Sequence, residues 1–271
     1  MIKKHISFNI ILGSIILLNL NSFDVKAQEP LTIAIIQYNT LMTTEVGKGI
    51  MTGIVYEAFK NQNLPVRFKV YPTKRIPKVL ETDDVCAGMG GKRWFNNVDQ
   101  YSSVNFYDPR LRAFYMKDRY PNGVPFRNVE DLKGYVLGYI LGGSFSKVLQ
   151  EKQIPDVEYV RNNRSNIQKL YLKRIDLAVM TLAAGLSDIT HLYPQEKEKF
   201  GIAKNSLMRI QGTLVFAPKC AQYYDSFRVG LANIWKNGVY KSIIEQYYNF
   251  DKYGKLSVPT ELITLTADNK K

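Results

Sequence analysis

Histidine and cysteine are nearly absent from the chain, at two of each in 271 residues. So few ligands cannot assemble a His-rich or Cys-rich metal cluster, which excludes structural zinc, and the sequence implies no cofactor. Blocks of five or six like charges are also missing, although 37 Lys and Arg stand against 24 Asp and Glu, a formal charge of +13. Such a charge favours anionic partners by long-range attraction. Cations scattered singly, without a nucleic-acid module beside them, read as a solvated basic surface and not as a nucleic-acid interface. No internal repeat or low-complexity segment occurs. With 45% hydrophobic and 23% charged residues, collagen-like, mucin-like and wholly disordered classes are excluded.

The longest apolar stretch lies at the start, from Phe8 to Leu18, behind Lys3 and Lys4 and ahead of small residues at Val25 and Ala27. At roughly 11 residues it falls short of the roughly 20 that span a bilayer, and its flanks are those of a secretory signal peptide cleaved near Ala27. No Cys follows it to accept a lipid. The expectation is an exported protein, periplasmic and untethered, with residues 1–27 as the signal. Losing three lysines and one aspartate takes the remainder from +13 to +11.

Beyond residue 27 the chain keeps His191, Cys86 and Cys220. In an oxidising compartment two cysteines pair more readily than they stay free, which predicts a Cys86–Cys220 bridge. A Cys/His nucleophilic pair is the alternative, but His191 lies in a polar stretch with nothing nearby to orient it as a base.

Hydrophobic periodicity then sets out an alternation of strands and helices. Leu31 to Gln37 is β-branched and apolar, and Ile50, Met51, Ile54, Val55, Ala58 and Phe59 recur at helical spacing. Val66 to Tyr71 alternates as a strand; Ile76, Val79 and Leu80 mark a short helix with Pro77 in its first turn; Val85 to Met89 predicts a buried strand. After the turn-rich Tyr120 to Val124 the pattern restarts. It gives strand Tyr135 to Leu141, a helix capped by Ser144, strand Val157 to Val160, helix Ser165 to Lys173 and strand Ile175 to Met180. A polar segment rich in Lys and Glu follows, then a long β-prone run from Leu207 to Ala217, and a pair of helices from Phe227 to about Tyr248. The residues after Lys255 carry little pattern. Such alternation implies two α/β lobes, each a mixed, mostly parallel sheet flanked by helices.

Several segments in order resemble the periplasmic solute-binding proteins of ABC importers, specifically the family 3 group that handles polar amino acids and related solutes. They are "GIMTGIVYEAFKNQNLPVRFKVYPTKRIPKVLETDDVCAGMGGKRW", "FYDPRLRAFYMKDRYP" with "VEDLKGYVLGYILGGSFSKVL", "NIQKLYLKRIDLAVM" and "GTLVFAPKC". The resemblance implies a type II, two-lobed fold with a ligand cleft between the lobes. Lobe 1 would comprise residues 28–112 and 213–255, lobe 2 residues 113–212, and residues 256–271 a C-terminal tail. It implies a monomer that captures a small polar or anionic solute, a carboxylate-bearing amino acid or derivative, and presents it to an inner-membrane ABC permease without catalysis. A dehydratase-like enzyme and a sensory module that docks to a receptor are the alternatives on the same fold.

The resemblance also implies cleft residues. Arg93 matches the Arg that holds the solute's carboxylate, for which a planar guanidinium fork is suited; a short Gly90-Gly91-Lys92 turn replaces the family's Thr-containing one. Gly143 and Ser144 match a strand-to-helix turn whose free N–H groups favour an anion. Thr181 stands where amino-acid binders of the family place an Asp for the ligand's ammonium group, while Asp176, at the start of the same strand, reads as structural. Tyr38 matches a ring against the ligand, and Tyr107, Trp94 and Arg75 are further candidates.

Overall fold

The computed structural model describes residues 28–36, 38, 40–82, 84–91, 101–249 and 258–267. The first sheet takes its strands from both ends of the chain: β1 (Leu31–Ile35), β2 (Val66–Val70), β3 (Ala87–Gly91), β4 (Ser103–Tyr107) and β11 (Gly212–Phe216), in the order β2-β1-β3-β11-β4. The second holds the residues between them: β5 (Arg110–Met116), β6 (Leu137–Ile140), β7 (Val157–Val160), β8 (Leu177–Thr181), β9 (Phe200–Ile202) and β10 (Met208–Arg209), in the order β10-β5-β8-β6-β7 with β9 also on β5. β1 pairs parallel with β2 and β3, and β6 parallel with β7 and β8. One strand in each sheet runs against the rest, β11 in the first and β5 in the second.

Those two reversed strands are the ones that cross between sheets. Tyr107-Asp108-Pro109-Arg110 leads from β4 into β5, and Arg209-Ile210-Gln211-Gly212 leads from β10 back into β11. The crossovers lie side by side. Arg209 pairs with Arg110, Gly212 with Tyr107, and the Ile210 N–H donates to the Pro109 carbonyl at 2.8 Å.

Each sheet is covered on both faces, because side chains alternate along a strand. Ile33 and Ile35 enter a core with the helices α1 (Ile50–Lys60), α6 (Tyr223–Lys236) and α7 (Val239–Glu245), whereas Ala34 points to a smaller core with α2 (Ile76–Thr82). In the second sheet Leu177 and Val179 face Phe145 and Leu149 beside α3 (Ser146–Glu151). Ala178 and Met180 face Ile167 of α4 (Asn163–Tyr171) and Ile189 of α5 (Leu182–Leu192). The covalent staple is Cys86–Cys220, which joins the start of β3 to the turn after β11 across 134 residues of sequence.

Four expectations from periodicity are corrected. The third strand starts at Ala87, two residues late, because Val85 is spent in the core with α2. The run from Leu207 to Ala217 is two strands, split where it crosses between sheets. The stretch after β8 begins with α5; its Gly185, Ser187 and Thr190 dilute the helical signal, and Gly185 is required because a Cβ there would enter the Phe114 ring. The weakly patterned C-terminus contains a helix, Thr260–Ala267, whose Leu262 is fully buried against α6 and β4. The expected signal, residues 1–27, lies outside the described residues.

Candidate functional site

A cavity of about 140 Å³ opens where the two sheets meet at the crossovers. One wall comes from the first sheet's side, with Ile36 and Tyr38 after β1, Leu41 and Met42 in the following turn, and Met51 of α1. The crossovers supply Pro109, Ile210 and Gln211. The opposite wall is Leu111 of β5, the segment Tyr139 to Ser144 at the end of β6, and Thr181 at the end of β8. Among the described residues, none that lines the cavity is charged. No group of three His, Cys, Asp or Glu comes together to hold a metal among the described residues.

Tyr38, Gly143, Ser144 and Thr181 all line the cavity. Arg93 and Trp94 lie outside the described residues, although Gly90, three positions before Arg93, lines the wall. Arg75 is not brought to the site: it ends the short turn Thr73–Arg75 before α2 with an exposed side chain, and of that turn only Thr73 reaches the wall. Tyr107 is a core residue, 2% exposed, because the last side chain of β4 turns inward beside the Tyr248 phenol, and this burial pushes its own phenol well up.

Ser144 does not cap the helix. α3 begins at Ser146 behind Phe145, no side chain caps it, and the Phe145 N–H is taken by the Tyr139 hydroxyl at 3.1 Å. The turn depends on Gly142, whose φ of 74° lies in the left-handed region that favours glycine. Ser144 hydrogen-bonds the same Tyr139 phenol, which burial pushes up to about 12. Asp176 is structural, as its position implied: its carboxylate accepts the Tyr120 hydroxyl at 2.7 Å and the Val136 N–H at 2.8 Å, and it pairs with Arg119.

The sequence reading missed Asn163, the first residue of α4, which is buried and donates from Nδ2 to the Tyr38 hydroxyl at 2.8 Å. This bond ties the second sheet's layer to the first across the cavity. Burial raises the Tyr38 phenol, opposed by Asn163 and by the neighbouring Thr181. Thr181 Oγ1 and Asn163 Oδ1 are nonetheless buried without a hydrogen-bond partner of full geometry. Behind them, Arg164 Nε pairs with Asp188 at 3.3 Å, so the carboxylate nearest Tyr38 on α5 already has a cation.

No family model matches the sequence, and no curated protein matches it. Solved structures do match it. A histidine kinase sensor domain with similarity to periplasmic binding proteins aligns at a TM-score of 0.62 and 16% identity, covering 86% of this chain and 99% of that one. A structure from work on glutathione import via GshT and the cystine ABC importer TcyBC of Streptococcus mutans aligns at 0.64 and 15%, covering 86% and 98%. The GluR0 ligand-binding core from Nostoc punctiforme, in complex with L-glutamate, aligns at 0.61 and 17%, covering 81% and 99%. With two sheets joined by paired crossovers, this chain has the type II, two-lobed periplasmic-binding-protein-like fold.

Proposed function

We propose that the protein is an exported solute-binding protein whose lobes, residues 28–112 with 213–255 and residues 113–212, close over a small carboxylate-bearing solute and deliver it to an inner-membrane ABC permease. The observation that carries this reading is the cavity at the crossovers, lined from both sheets and containing a buried Thr181 hydroxyl without a hydrogen-bond partner of full geometry. A solute that touches both walls stabilises the closed arrangement by its differential affinity for it. Arg93, two positions beyond β3 in the sequence, is the residue this reading assigns to the carboxylate. Among the described residues no helix is long and apolar enough to cross a membrane, which is compatible with release after export. No chemical step is part of the reading, and the protein acts as a monomer.

A second reading is a sensory module that signals ligand occupancy to a receptor, favoured by the alignment with a histidine kinase sensor domain. The two readings share the ligand-binding step. Thermal unfolding of the exported, purified protein against amino acids, their acyl derivatives, di- and tricarboxylates and small anions tests that step. A solute at a hundred times its dissociation constant adds about 2.7 kcal/mol. The expected outcome is a raised midpoint with one class of carboxylate in the wild type and none in Arg93→Ala. Equal shifts in both proteins would remove Arg93 from the site, and no shift with any solute would remove the binding function.

A further inference from the structure

Resting on the solute-binding reading above, we infer that the solute has an apolar body and an oxygen-bearing head, and carries no free ammonium group. The cavity's described lining is built from Leu41, Met42, Met51, Leu111, Ile140 and Ile210 among others, and holds no carboxylate. Its volume, about 140 Å³, is close to that of an apolar cavity that takes up one benzene molecule, so it suits a single ring or a short branched chain. Water has little to bond to on such a wall, and an ammonium group brought there would lose its hydration with no counter-charge to replace it.

The carboxylates that the described residues bring near the cavity are already engaged. Asp188 is paired with Arg164, and Asp108 in the crossover accepts the Asn105 amide at 2.9 Å and pairs with Arg209 at 3.4 Å. What the cavity does offer is hydroxyl chemistry. Thr181 Oγ1 is buried and lines the cavity, and the Tyr38 hydroxyl stands beside it without full hydrogen-bond geometry, which leaves the Thr181 hydroxyl open to a better-placed oxygen. A hydroxyl donor is suited to an oxygen of a carboxylate, amide or alcohol, and a buried hydroxyl left without a well-placed partner is costly until such an oxygen arrives.

Matched pairs of probes that differ only in the amino group test this by titration calorimetry on the exported, purified protein. They are 3-phenylpropanoate against L-phenylalanine, 4-methylpentanoate against L-leucine, and glutarate against L-glutamate as the pair with a polar body. The expected result is that one of the two apolar acids binds at least tenfold tighter than its amino acid and than either member of the glutarate pair. Thr181→Val should weaken that acid about tenfold, and Thr181→Asp should reverse the preference within the pair. An amino acid that binds as tightly as its acid, or a glutarate-pair member that binds best, overturns the inference and leaves solute binding standing. Unchanged affinity in Thr181→Val overturns the hydroxyl's part in it. If none of these six, and none of the solutes in the thermal panel, binds to folded protein, the solute-binding reading falls and takes the inference with it.

Discussion

At Gly230 the backbone of α6 lies directly on α1, and a Cβ there would overlap the Ala58 carbonyl oxygen. Nothing flexible can yield, since the obstacle is main chain. Gly230→Ala is therefore expected to destabilise the protein by about 1–3 kcal/mol or more, read as a lower unfolding midpoint, in spite of alanine's better helix propensity. A second residue-scale expectation concerns Tyr38. Tyr38→Phe removes the acceptor of the Asn163 amide and leaves Nδ2 without its partner, a cost of about 1–3 kcal/mol in the ligand-free protein. If the unfolding midpoint of Tyr38→Phe matches that of the wild type, the bond is not holding the two layers together. Tyr38, Gly143, Ser144 and Thr181 were put forward by the family resemblance and not by periodicity, and the fold brings all four to the cavity. Leu41, Met42 and Asn163 were put forward by neither. Nothing in an apolar or amide side chain distinguishes a cavity wall from a core until the fold places the two walls opposite each other.

At the scale of elements, the Cys86–Cys220 bridge fastens β3 to the turn after β11. Replacing both cysteines by serine is expected to lower stability by about 2–5 kcal/mol, most of it through a less constrained unfolded chain. Denaturation of oxidised and double-serine protein side by side measures this, and equal midpoints would refute it. The crossovers offer a pH test. Desolvation holds Asp108 above the ordinary carboxylate range, against the pull of Asn105, Arg209 and Arg110. A carboxyl whose folded pKa exceeds its unfolded value binds its proton more tightly when folded. Its contribution is full below the unfolded pKa and is lost as pH rises through the folded one. The stability of Asp108→Asn relative to wild type is therefore expected to grow with pH, starting near the unfolded value of about 3.9 and levelling off above the folded one. Midpoints taken from pH 3 to 7 check this; a gap that narrows with pH would contradict it. Elements with one clean period, such as β1, α1 and β8, were readable from the sequence. β10 and β11 were not separable, since both are β-prone and only the passage from one sheet to the other divides them.

For the whole molecule, the alternation of strands and helices specified two α/β layers, while the return of the chain to its first sheet came only from family resemblance. Periodicity has no term for which sheet a strand joins. That return places the cavity, because two crossovers set side by side leave a gap whose walls belong to different lobes. The central claim, that this gap is where a solute is captured, is tested most directly by titration calorimetry of wild type and Ser144→Trp with the solute that most raises the wild-type unfolding midpoint. Ser144 is a partly exposed residue on the cavity wall, so an indole there obstructs the cavity without entering either core. The account predicts one solute per wild-type molecule and at least a tenfold loss of affinity in Ser144→Trp, which stays folded with a ligand-free midpoint lowered by no more than the loss of the Ser144–Tyr139 hydrogen bond, about 1–3 kcal/mol. Equal affinity and stoichiometry in both proteins would place the solute elsewhere and contradict the account.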